Sequence, residues 1–222
     1  MFFCMALATA TSYAQSAVEL AKQQQELNAI HMKIINAEPS KSAKKEAKAL
    51  KKEGWTVPVG ECSIEQQITS SQLYRAELTT DAEGNTTKRF IVQTALQTAG
   101  TYNAGYAAAR AAAQQEVAAM LKTRLASLMS NKRKNNQENA VNAATTNKFG
   151  QESMLLVDET LTNGIPVLAI YRRLPNNNFE VQVGIAYDKK QIASQMKKKL
   201  QKEMSWEGEA LMDMVDEVFA EE

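Results

Sequence analysis

The sequence predicts an α+β fold: a small antiparallel sheet of three or four strands packed on a long Ala-rich helix, with helical extensions at both ends. Three observations carry that prediction. The segments "IPVLAIYRRL" (165–174) and "FEVQVGIAY" (179–187) alternate their side chains with a period of two, and "PNNN" between them supplies turn residues, so the pair reads as a β-hairpin. A further run, "KRFIVQTALQ" (88–97), sets Phe90, Val92, Thr94 and Leu96 against Arg89, Ile91, Gln93 and Ala95. Directly after it, alanine fills ten of the 26 positions from Thr101 to Ala126, and alanine is the strongest helix former.

Taken in order, the first fifteen residues, "MFFCMALATATSYAQ", are uncharged and apolar, then small. Ser12 and Ala14 stand at the −3 and −1 positions of a cleavage site before Gln15, so residues 1–14 read as a secretory signal. Cys4 lies inside the apolar stretch, where "MFF" before it is no lipidation triplet. Cleavage leaves Cys62 alone, which excludes an internal disulfide, and we expect it to be a small half-buried residue. A helix is predicted over 17–36, stopped at Pro39; a second follows Ser40 and ends at Gly54, with Trp55 closing that end against the core. Ser63 and Gln66 form a capping box for a helix running to about Leu78. "DAEGNTT" (81–87) is turn chemistry, and residues 140–162 fit helix or strand equally. A basic helix (188–202) and an acidic one (205–220) complete the chain. The expected organisation is a signal at 1–14, a helical extension at 15–54, an α+β domain at 55–203 and an acidic amphipathic helix at 204–222.

Alanine loses no side-chain entropy in a helix and lets the axis approach a neighbour closely. The first half of the Ala-rich helix, 104–113, is nearly featureless, whereas Val117, Leu121, Leu125 and Leu128 make an apolar stripe in the second. The first half is therefore expected to press against the sheet, and the second to be an ordinary core helix. A membrane-surface helix would need bulky anchors that the first half lacks.

A strand followed by this helix, with Ala104, Ala107, Ala108, Arg110, Ala111 and Ala112, and then the hairpin strand "FEVQVGIAY", resembles the small Gram-negative envelope proteins related to the twenty-kilodalton outer-membrane lipoprotein. Their fold is similar to the N-terminal domain of the flagellar assembly protein T. "KKEGW" (51–55) belongs to the same pattern, and the resemblance covers about residues 45–205. It implies an envelope role without an established enzyme activity. The chain departs from lipidated members in having no lipidation motif around Cys4.

Composition gives no case for a polyanionic partner, since net charge is +1. "NKRK" (131–134) and "KKKLQK" (197–202) have no stacking aromatic beside them and read as solvated helix ends, so no nucleic acid is expected. A single histidine, His31, excludes a multi-histidine metal site, and no nucleophile elbow, phosphate loop or paired-cysteine motif occurs. Asp158 and Glu159 are adjacent, which does not converge them on a substrate. No catalytic residue, metal site or cofactor is expected. The sequence reads as a periplasmic or outer-membrane-associated protein that acts by binding or assembly. Its partner would be an envelope protein or a second copy, with at most peripheral membrane contact. The alternatives are a hydrolase with an acidic or Ser/Lys site, and a regulatory or inhibitory module of an envelope partner.

The last segment offers candidate partner-binding residues. Residues 203–222 hold eight acids and no Lys or Arg, so the preceding 202 residues carry 26 bases against 17 acids, or +9. Leu211, Met214, Val215 and Val218 follow helical spacing, with Trp206 and Phe219 at the margins. Such a stripe docks either on the chain's own basic body or in a groove of a partner. On the partner alternative, deleting 205–222 leaves the body folded but abolishes capture; loss of the cooperative melt would make the tail core.

Overall fold

Pro39 marks the boundary between two compact units, Met1–Glu38 and Pro39–Glu222. The structure, a computed structural model, describes residues 4–80, 84, 86–135, 140–203 and 209–220. Among these, side chains are described except at 4–17, 19, 20, 132–135, 140–147, 203, 209–213 and 220. The first unit is one helix, α1 (Cys4–Ile35), longer than the pattern over 17–36 indicates and running through the expected cleavage site. Its end is closed by Asn36 N–H donating to the Met32 carbonyl and Ala37 N–H to that of Ile34.

The second unit opens with α2 (Lys41–Lys52), so this helix belongs to the compact α+β body and not to an extension reaching residue 54. The reason is burial: Ala43 and Ala47 are fully covered in one cluster with Trp55, Ile64, Ile68, Leu168 and Ile170. Ser40 Oγ accepts from Ala43 N–H at 3.0 Å and caps the helix, and its backbone N–H donates to Thr69 Oγ1, tying α2 to the next helix. Gly54 closes α2 in the left-handed region (φ 87), and Trp55 is buried behind it, its N–H donating to the Leu50 carbonyl. Ser63 caps α3 (Ile64–Ala76) by accepting from Gln66 N–H.

A two-stranded ribbon follows, β1 (Leu78–Thr80) and β2 (Thr86–Lys88), which the sequence pattern does not announce. Then come β3 (Phe90–Ala99), α4 (Tyr102–Asn135), α5 (Ala140–Thr160), β4 (Ile165–Arg173), β5 (Phe179–Asp188), α6 (Lys189–Glu203) and α7 (Glu209–Ala220). The sheet has the order β3-β5-β4 with both pairs antiparallel. Residues 140–160, which fit helix or strand, are helix, because α5 presents Phe149, Leu156 and Val157 to the core.

Helices cover both faces of the sheet. On one, Leu168 and Ile170 cluster with Ala43 and Ala47 of α2 and Ile64 and Ile68 of α3, and Tyr74 of α3 packs edge-on to Phe90 at 4.8 Å. On the other, Ile91, Ala95, Val181, Val183, Ile185 and Tyr187 join the main core with α4, α5, α6 and α7. Residues Val183 to Asp188 of β5 are all buried, as expected of a central strand with both faces covered.

The alanines divide by role. Gly105, Ala109, Ala113, Val117, Leu121, Leu125 and Met129 form the buried seam of α4, four residues apart, while Ala104, Ala107, Ala108 and Ala111 are exposed and contribute propensity alone. At about 100° per residue, each four-residue step advances the seam about 40° around the axis. The seam thus begins on β3 and β5, where only glycine and alanine fit, and turns onto α5 and α7, where larger residues fill the space. A Cβ on Gly105 would lie 2.6 Å from Val181 Cγ2, which shows how near the helix axis comes to β5.

Candidate binding surface

The residues proposed for partner contact divide into two groups. Trp206 and Leu211 lie outside the residues whose side chains are described. Met214, Val215, Val218 and Phe219 are buried in the main core (0%, 1%, 3% and 6% exposed) against the chain's own body. Two polar contacts accompany that burial: Lys197 pairs with Asp216, and Arg124 Nη1 donates to the Val218 carbonyl at 3.4 Å. The apolar stripe is thus covered within the molecule, in the first of the two ways its pattern allows.

Two lysines of the basic run 197–202 are likewise engaged internally. Lys197 meets Asp216 on α7, and Lys199 meets Glu159 on α5 at 2.6 Å. Asp158, adjacent to Glu159, pairs instead with Lys122 on α4 at 2.6 Å, so these neighbouring carboxylates serve two different helices and do not converge. No group of three His, Cys, Asp or Glu side chains able to hold a metal occurs among the described residues. No described helix is long and apolar enough to cross a membrane. Cys62 is exposed, contrary to the half-buried expectation, because it precedes the Ser63 cap in an outer turn.

One charged pair is sealed inside. Arg89 Nε donates to Asp188 Oδ2 at 2.8 Å, and both side chains are 2% exposed. Asp188 Oδ1 accepts from Gln191 N–H, capping α6, while the Arg89 backbone bonds Glu77 on one side and Lys189 on the other. The pair therefore joins the ribbon, the sheet and α6 at a single point. It faces no solvent, so its role is to fix that junction.

The surface with recognition chemistry lies at the opposite end of the sheet, where β3 ends and the β4–β5 turn begins. Tyr102 and Tyr106, one turn apart at the start of α4, meet Tyr171 of β4 and Phe179 of β5. Ring centroids are 6.0 Å apart for Tyr102–Tyr106, 5.0 Å for Tyr102–Tyr171 and 5.9 Å for Tyr171–Phe179, and all four rings are half-buried. Exposed Arg173 places its guanidinium 6.0 Å from the Phe179 ring on this face. On the reverse face Arg172 stacks 4.9 Å from Trp55 and pairs with Glu180 and Glu53. Burial, helped by the nearby Tyr106 and Glu61, raises the Tyr102 phenol above the ordinary tyrosine range and keeps it a neutral hydrogen-bonding group.

Sequence reasoning missed this cluster. The signal was Tyr102 and Tyr106 at i and i+4 in an otherwise alanine-filled half-helix, with two aromatic residues flanking the hairpin turn. Comparison of the chain with protein-family models, curated proteins and solved structures yields no match.

Proposed function

We propose that this chain is an exported envelope protein, periplasmic or outer-membrane-associated, that acts by binding or assembly and not by catalysis. The observation that carries the reading is the half-exposed group of three tyrosines and a phenylalanine, flanked by Arg173, at one end of the sheet. Tyrosine and arginine dominate the energetics of protein interfaces, because a stiff amphipathic ring or a planar cation buries much area with little entropy lost. The apolar-then-small N-terminal stretch supports export, and the likeness of the Ala-rich helix and hairpin to small envelope proteins supports the setting. The partner is an envelope protein or a second copy of the chain, and the reading requires no cofactor.

The test is a photo-crosslinking side chain at Arg173 in cells, with Leu155 on α5 as the control position, followed by fractionation. Expected are discrete adducts from Arg173 alone and recovery of the protein in the envelope fraction. A cytosolic product with residue 1 retained would overturn export. Robust hydrolytic turnover abolished by one point substitution would overturn the non-catalytic reading.

A further inference from the structure

The two outer strands of the sheet are treated very differently. The free edge of β4 is protected by several devices. It carries Pro166 and a register shift between Pro166 and Leu168. Thr56 pairs with Tyr171 through two backbone bonds of 2.8 and 2.9 Å, and Gln67 Oε1 accepts from Ala169 N–H at 2.7 Å. Natural sheets use just such prolines, bulges and covering groups to stop an edge from recruiting another strand.

The β3 edge has none of them. Its ten residues contain no proline and no charge, its register with β5 is unbroken from Phe90 to Ala99, and among the described residues no other strand pairs with it. The segment 93–99 is the accessible part, where Leu96, Gln97 and Thr98 are exposed. Leu96, at its centre, is 49% exposed. Two side chains reach it from outside, Arg75 Nη2 donating to the Thr94 hydroxyl and Glu116 of α4 accepting from Gln93 Nε2, and both bonds end on side chains of the strand.

We propose that this edge pairs with the same edge of a second copy, antiparallel about a two-fold axis at Leu96, joining two three-stranded sheets into one of six. The inference deepens the binding-or-assembly reading and rests on it. The occupant follows from the strand itself. An uncharged strand meets its own copy without repulsion, whereas a charged partner strand would find no charge within the strand to complement it. A two-fold axis normal to the sheet keeps like faces together, so residues of the same parity stand opposite one another. Centred on Leu96, the accessible segment is used in full: Leu96 covers its own counterpart, and Thr94 faces Thr98 of the second copy, a favourable cross-strand pair. The strand also ends at the aromatic surface, where Ala99 stands opposite Phe179, so both copies' tyrosine groups would flank the joined sheet.

Sedimentation of the full chain across roughly 1–100 µM, the range of a modest protein dimer, tests the proposal. The wild type is expected to dimerise, with amides of residues 93–99 exchanging more slowly as concentration rises. Leu96→Lys sets two like charges directly opposite each other and should weaken the dimer roughly tenfold or more. Leu155→Lys, at another exposed leucine, should leave it intact. Should Leu96→Lys not fold, Thr98→Lys on the same exposed face serves in its place. A wild type that stays monomeric throughout overturns the proposal. So does a dimer equally indifferent to Leu96→Lys and Leu155→Lys, which would place self-association elsewhere while leaving the binding-or-assembly reading standing. That reading falls separately, through absence of Arg173 adducts together with a monomeric chain.

Discussion

Replacing Gly105 with alanine should destabilise this protein, against the usual rule for helices. In an exposed helix interior the change stabilises by about 1 kcal/mol, since glycine has more backbone freedom to lose. Here the new Cβ would lie 2.6 Å from Val181 Cγ2 and 3.2 Å from its Cβ. Carbon atoms rest about 3.5–4 Å apart, so roughly 1 Å of movement is required. Val181 cannot yield easily: it is fully buried, and its branched side chain holds one χ1 well. The helix must lift from β5, and overpacking of this kind costs about 1–3 kcal/mol. Subtracting the propensity gain leaves a net loss of about 1 kcal/mol, or about 2–4 °C in Tm for a chain of this size. Urea denaturation followed by circular dichroism measures it. Ala107→Gly, exposed on the same helix, calibrates propensity alone and should lose about 1 kcal/mol. In a Val181→Ala background, Gly105→Ala should become neutral or stabilising, a coupling of about 1 kcal/mol or more. If Gly105→Ala alone raises the midpoint, the helix does not press on β5 and the explanation of its small residues fails.

Other outcomes follow from the same contacts. Phe219→Ala should cost about 3–5 kcal/mol and Met214→Ala about 2–5, with truncation of 205–222 abolishing the cooperative melt; a truncated chain that melts normally would show the tail to be dispensable. Arg89→Met, which removes the cation beside the buried Asp188 carboxylate, should cost about 3–5 kcal/mol, and combining it with Asp188→Asn should cost less than the sum of the two single changes in a double-mutant cycle. Burial pushes the Tyr74 phenol up to about 12. The unfolded chain releases that proton from about pH 10, so stability is intact below that pH and declines as pH rises toward 12; Tyr74→Phe should flatten the decline in urea midpoints. Lys51→Ala frees Glu65, whose carboxyl the Lys51 hydrogen bond holds below its ordinary value, yet at this exposed site the loss at neutral pH should stay under about 1 kcal/mol.

What could be read from the sequence was local. The caps at Ser40 and Ser63, the helix end at Gly54 and the β4–β5 turn each depend on a few consecutive residues, so their chemistry announces them. α5 was ambiguous because a short apolar run such as "SMLLV" has no period of its own, and the core around Phe149 decides its conformation. β1 and β2 are three residues each and carry no buried alternation. The apolar stripe of α7 was visible, but a stripe looks the same whether its cover is its own chain or another. Burial of Met214, Val215, Val218 and Phe219 in the core decides it, and that core is assembled from residues far back in the chain. The aromatic surface was hidden for the same reason, since Tyr102 and Tyr171 become neighbours only when the sheet closes.

The sheet order has a consequence for the moment of synthesis. β5, the middle strand, is the last to be made, and β3 can find its partners only across 80 residues at Ala99–Phe179 and 98 at Phe90–Asp188. Until residue 188 leaves the ribosome, β3 and β4 have no common neighbour, while α4 can form by itself within microseconds. Long-range antiparallel pairing is slow, because loop-closure entropy is lost before any contact compensates it. A nascent chain built this way carries helices and the local β1–β2 ribbon first, and the three-stranded sheet closes only after its last strand is out.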